Sequence, residues 1–190
     1  MAKECSLCKG AFNFHIGLKG KNSDNTKLLF IANKPDSRVL ENVLPNFDSY
    51  EMALLSTKTG KMMYKMLRYC GLSFDDIYWT NTFKCVLPND RIPKRKEYEN
   101  CFNRHLKKQI NDFKPKKIVA LGEMPYNLMF PDKGNHTTSL VDTLDYRGIP
   151  VFIMSHPGKI WYYSDIRRQE EFYETLDSFI NNKVYNSIIF

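Results

Sequence analysis

Four short apolar runs, each set off from the next by helical periodicity, constrain this chain more than any other feature. They are KLLFIAN (27–33), DIYWTNTF (76–83), KKIVALG (116–122) and IPVFIMS (149–155). Their apolar residues are consecutive rather than alternate, the pattern of strands covered on both faces. Helical periodicity occupies 59–71, 96–113 and 123–130, and a further helix, 165–182, follows the last run. Lys114-Pro115 ends the second of these, because proline lacks the N–H that would continue a helix. Residues 34–57 are the least patterned and read as a short helix and a loop. Such alternation predicts an α/β domain with a mostly parallel sheet.

In that architecture ligands sit in the crevice beyond the carboxyl ends of the strands. The segments to inspect are therefore ANKPD (32–36), TNTFKC (80–85), LGEMP (121–125) and SHPGK (155–159). At 190 residues, 43% hydrophobic and 14% aromatic, the chain is long and apolar enough for one folded domain with its own core. No apolar run approaches the roughly 20 residues needed to cross a bilayer, and MAKECSLCKG lacks the apolar core of a secretory signal. These features predict a protein of a reducing, cytoplasm-like compartment with no membrane partner. The net charge of +7 is concentrated in 91–96, 114–117 and 156–168, the last interleaved with aromatics. Polyanion binding is compatible with this, although KPKK (114–117) alone reads as solvated surface.

In a reducing compartment, closely spaced cysteines more often bind metal or do redox chemistry than form disulfides. Cys5 and Cys8 form a C-x-x-C, and Cys85 and Cys101 flank a loop rich in Asn, Pro, Arg and Lys. Four thiolates suit either a [4Fe–4S] cluster or structural zinc, and spacing does not separate the two. Cys70 reads as a buried free thiol.

TNTFKCVLPNDRIPKRKEYENC (80–101) resembles the T-N-x-x-K-C-x-P-x-N-R-x-P…E…C block of the iron–sulfur, family 4 uracil-DNA glycosylases. SHPGK resembles their closing H-P-S block, and TKTGKMMYKML (57–67) their G-x-A-G-x-L-L helix start. CSLC matches their N-terminal C-x-x-C, and LLFIANKPD falls where G-E-x-P-G belongs. The resemblance covers nearly the whole chain in order. It implies a single domain (1–190) with three α/β/α layers and a central, mostly parallel four-stranded sheet. It also implies a monomer acting on DNA, with a [4Fe–4S] cluster on Cys5, Cys8, Cys85 and Cys101 in a structural role.

The resemblance further implies roles for individual residues. His156 would hydrogen-bond the departing base and stabilise its negative charge. Asn81 would read an imide edge, since an amide offers both donor and acceptor. Ala32, Lys34, Pro35, Asp36 and Leu55 would line the base pocket. Lys58, Gly60, Lys84, Arg91, Pro157, Gly158 and Lys159 would contact DNA. Trp161 would act as a wedge replacing a flipped base, or belong with Tyr162 to the core.

Two departures stand out. Asn33 occupies the carboxylate position of the first block, and a neutral amide holds water but is a poor base. Asp36 or Glu41 could substitute. Leu55 stands where the family places a stacking aromatic, which suggests a pocket shaped for a modified base. The leading expectation is a monofunctional DNA glycosylase that cleaves the N-glycosidic bond of uracil or a modified base. A catalytically inactive DNA-binding or regulatory protein is the alternative, and a small zinc-stabilised α/β protein acting on free nucleosides or nucleotides is a third.

Overall fold

Side chains on successive strand residues point alternately into two apolar layers, and this alternation organises the fold. The computed structural model describes residues 17–37, 39, 50–133, 142–160 and 166–183, with Cys5, Cys8 and Ala11. In chain order the elements are β1 (Leu18–Lys19), α1 (Ser23–Thr26), β2 (Leu28–Ala32), α2 (Tyr50–Leu55), α3 (Lys58–Tyr69) and β3 (Ile77–Asn81). Then come α4 (Arg95–Cys101), α5 (Lys107–Phe113), β4 (Lys117–Leu121), α6 (Glu123–Met129), β5 (Asp142–Tyr146), β6 (Ile149–Met154), α7 (Pro157–Ile160) and α8 (Ile166–Asn181). A π-helical turn, Phe102–Leu106, joins α4 to α5, so the helix expected over 96–113 is continuous in sequence with a bulge at its centre.

Leu28, Phe30 and Ala32 of β2 face one layer with Met62, Met63, Met66 and Leu67 of α3 and Leu176 of α8. Leu29 and Ile31 face the other, against Leu106 and Ile110 of the bulged helix and Tyr126 and Met129 of α6. Phe30, Leu29 and Ile31 are fully buried, and each such side chain contributes about 1.5–3 kcal/mol of hydrophobic stabilisation. The three α/β/α layers are those expected.

The sheet has six strands rather than four, in the order β1-β3-β2-β4-β6-β5. The expected strands β2, β3, β4 and β6 form its parallel centre. Antiparallel edges are added by β1 and by β5. The β5–β6 turn holds both Arg147 (φ 56) and Gly148 (φ 83) in left-handed conformations, as two-residue hairpins require. Lys114, also left-handed at φ 51, ends α5 before Pro115. Because β2 leads to β3 on one side and β4 lies on the other, the order of strands reverses between β2 and β4. The crevice beyond that point is where the carboxyl ends of the four parallel strands meet.

Candidate active site

A cavity of about 530 Å³ opens at the crevice, within the usual range for small-molecule sites. It draws on every parallel strand: Ala32 and Asn33 at the end of β2, Trp79 and Asn81 of β3, Leu121 and Gly122 at the end of β4, and His156 after β6. The strand tips are tied together by the backbone. Thr82 and Phe83 donate their N–H groups to the carbonyls of Ala32 and Asn33, and Gly122 donates to Met154. Trp79 stacks on Phe30, with ring centroids 6.5 Å apart, and makes an apolar wall. Lys34, Pro35 and Asp36 also line the cavity.

His156 ends the β6 unit and is held by the turn that follows. The N–H of Gly158 donates to its Nδ1 at 3.2 Å, which leaves the ring proton on Nε2. Burial pushes its pKa down to about 4, so the imidazole is neutral across the physiological range. A neutral ring of fixed tautomer is a hydrogen-bond donor that carries no charge of its own. Gly158 packs tightly here, since a Cβ would stand 2.8 Å from Thr59 Oγ1.

Asn81 is 2% exposed, and among the described residues its buried Nδ2 has no hydrogen-bond partner. An orphaned buried donor costs roughly 1–3 kcal/mol, so a cavity that retains one is shaped for an acceptor that arrives with a ligand. Asn33 Oδ1 accepts the hydroxyl proton of Tyr98 at 2.6 Å. Lys34 is engaged by Asp90 at 2.6 Å across the cavity mouth.

A family model described as the uracil DNA glycosylase superfamily matches residues 19–180. The chain belongs to that superfamily. A Type-4 uracil-DNA glycosylase of Archaeoglobus fulgidus is 32% identical, over 89% of this chain and 82% of that one. Type-4 uracil-DNA glycosylases of Sulfurisphaera tokodaii (29% identical, 96% and 82% covered) and Thermotoga maritima (28%, 82% and 77%) are also similar.

Within this superfamily member the four expected cysteines share one neighbourhood. Cys85 and Cys101 are buried beside Phe83, Leu87 and Tyr98, with Cys8 packed against them. Burial and then the neighbouring Cys101, Cys5 and Cys8 push the Cys85 thiol up to about 12. Burial likewise raises Cys101 to about 11. Among the described residues, however, no three His, Cys, Asp or Glu side chains close around a common metal position. His105 lies at the π-helical turn with Nε2 3.3 Å from Cys5 Sγ. The sequence reading missed it, because its partner is 100 residues away.

The expected DNA contacts divide. Lys58 and Lys159 are exposed, and Lys159 also borders the cavity. Lys84 is a correction: it is completely buried, with Nζ donating to Thr80 Oγ1 and to the Asn81 carbonyl, and cannot meet a phosphate. Burial pushes its pKa down to about 7. Gly60 is also buried: its N–H is taken by the Thr57 side chain at 3.0 Å, and a Cβ would stand 2.0 Å from the Leu54 carbonyl oxygen. Close packing, not DNA contact, requires glycine there. Pro157 is buried, and Arg91 forks onto Glu97 at 2.8 and 2.7 Å, stiffening the loop between Cys85 and Cys101. That ion pair is the main reason Glu97 is held down at about 2. Leu54, rather than the expected Leu55, lines the cavity, whereas Leu55 packs against the core. Trp161, Tyr162 and Glu41 lie outside the described residues.

Proposed function

We propose that this chain is a monofunctional DNA glycosylase that flips uracil out of DNA and hydrolyses its N-glycosidic bond. The observation that carries the reading is the pairing, in one cavity, of an orphaned Asn81 amide donor with a neutral His156. Asn81 Nδ2 suits the O4 acceptor of uracil and rejects cytosine, which presents a donor there. His156, with its proton on Nε2, suits the O2 of a departing base. Negative charge grows on that oxygen as the bond breaks, and a preorganised donor in a desolvated site stabilises it. The sugar passes through an oxocarbenium-like state, so a water held in place at Asn33 suffices without a strong base. Trp79 and Leu54 supply the apolar walls that bury the base. The Type-4 names of the relatives support the same chemistry.

Cys5, Cys8, Cys85 and Cys101 would hold a [4Fe–4S] cluster. Burial and mutual repulsion make the Cys8, Cys85 and Cys101 thiolates costly here, and a bound metal centre would offset that cost. The cluster would tie the N-terminal segment to the loop after β3 and contribute structure, not redox steps.

The cavity also leaves room for a modified base, since an aliphatic Leu54 faces it. The inactive alternative draws on the neutral Asn33. One assay decides among these readings: oligonucleotides carrying uracil, hypoxanthine, xanthine or modified pyrimidines are incubated with the protein, then treated with alkali to reveal abasic sites. Cleavage at uracil is expected. Cleavage only at modified bases would move the substrate, and DNA binding without any cleavage would establish the inactive alternative.

A further inference from the structure

Asn33 and Tyr98 are 65 residues apart in sequence, and no spacing connects them. Tyr98 is 1% exposed and sits on α4, with its ring edge-on to Phe83 at 5.7 Å. Its hydroxyl donates to Oδ1 of the cavity-lining Asn33 at 2.6 Å. The backbone oxygen of Asn33 is also occupied, by the N–H of Phe83 at 2.9 Å. Among the described residues nothing pairs with Asn33 Nδ2. Left to itself, an amide at a cavity wall turns about its last torsion and presents oxygen and nitrogen alternately. Tyr98 removes that freedom.

We infer that Tyr98 is a positioning residue that locks the Asn33 amide with Oδ1 turned away and Nδ2 offered to the reaction cavity. The inference rests on the glycosylase reading and deepens it. An Nδ2–H donor grips a water by its oxygen, fixing where the water stands while leaving its second lone pair free to attack the sugar carbon. It does not deprotonate the water. The proton passes to bulk solvent after the new C–O bond forms, and the electron pair of the broken C–N bond departs with the base as its anion. Asn33 therefore contributes placement, and Tyr98 sets which end of the amide does the placing. The Tyr98 ring belongs to the same apolar cluster as Cys85 and Cys101, so the cavity wall is braced from the cysteine side of the molecule.

The test is a double-mutant cycle with Tyr98→Phe and Asn33→Ala, read by single-turnover excision of uracil and by affinity for uracil-containing DNA. Tyr98→Phe keeps the ring and removes only the hydroxyl. It is expected to slow excision about tenfold, the scale of one hydrogen bond, with DNA affinity unchanged. In the Asn33→Ala background the same change is expected to alter the rate less than twofold. Equal slowing in both backgrounds would overturn the inference, since Tyr98 would then act without Asn33. A second readout needs no activity: the side-chain ¹⁵N–H₂ resonances of Asn33, assigned from Asn33→Ala, should shift and broaden in Tyr98→Phe. Unchanged resonances would overturn the inference even in an active enzyme. If the wild type cleaves nothing but the resonances respond, the lock stands and the glycosylase reading falls.

Discussion

The N–H of Gly158 donates to Nδ1 of His156 at 3.2 Å, so the two residues together fix which ring nitrogen carries the proton. Burial holds the ring neutral down to about pH 4. A neutral donor is well matched to an oxygen that becomes anionic only as the glycosidic bond breaks. It binds the developing charge more strongly than the resting base, which is the requirement for catalysis.

The ionisation of His156 has two measurable consequences. Its folded value of about 4 lies below the ordinary 6.5, so the unfolded chain takes up the proton first. Stability is then complete above pH 6.5, falls as pH drops toward 4, and levels off below it; for this one group the loss is at most about 3 kcal/mol. His156→Gln should flatten that part of the pH dependence of Tm. Excision should stay level from pH 8 to 5, and a drop in single-turnover rate centred near 6.5 would contradict the neutral-donor role.

Asn81→Ala should move activity and stability in opposite directions. Removing the unpaired Nδ2 relieves a buried donor, so Tm should hold or rise. The specific contact to the base is lost, and kcat/KM on uracil should fall at least tenfold. A fall in Tm of several degrees would mean that the amide is structural.

Lys159 and Lys84 should separate in a salt titration. Lys159 is exposed at the cavity rim, and Lys159→Ala should weaken DNA binding and reduce the slope of log K against log salt by about 1. Lys84→Met should leave that slope unchanged, because its ammonium is spent on Thr80 and Asn81. A reduced slope in Lys84→Met would refute the buried assignment.

Protein purified without oxygen should be brown and carry about four irons per chain. Cys101→Ser should lose colour and iron together and lower Tm. Stoichiometric zinc in a colourless protein would keep the four-thiolate site but remove the cluster.

Strands buried on both faces must be apolar at consecutive positions, so β2, β3, β4 and β6 were legible within two residues of their ends. Topology pointed to the strand ends, where Asn33, Asn81 and His156 stand, and the family resemblance singled out these three. The two edge strands were not legible. β1 is two residues long, and residues 143–146 of β5 alternate polar and apolar, with Thr143 and Asp145 exposed and Tyr146 buried, too short a pattern to stand out. The Arg147-Gly148 pair was the available hairpin signal. A one-residue helical register separates Leu54 from Leu55, finer than sequence periodicity resolves. Lys84 was expected to contact DNA, but the folded chain buries it against Thr80 and the Asn81 carbonyl. Tyr98 and His105 act across long separations through contacts that exist only in the folded chain.

The cavity walls come from all four parallel strands, and the last of these to leave the ribosome bears His156. A nascent chain that has emerged only through Leu121 lacks His156 and the fourth wall of the cavity. On the glycosylase reading, excision competence would then be a property that synthesis confers at one late moment.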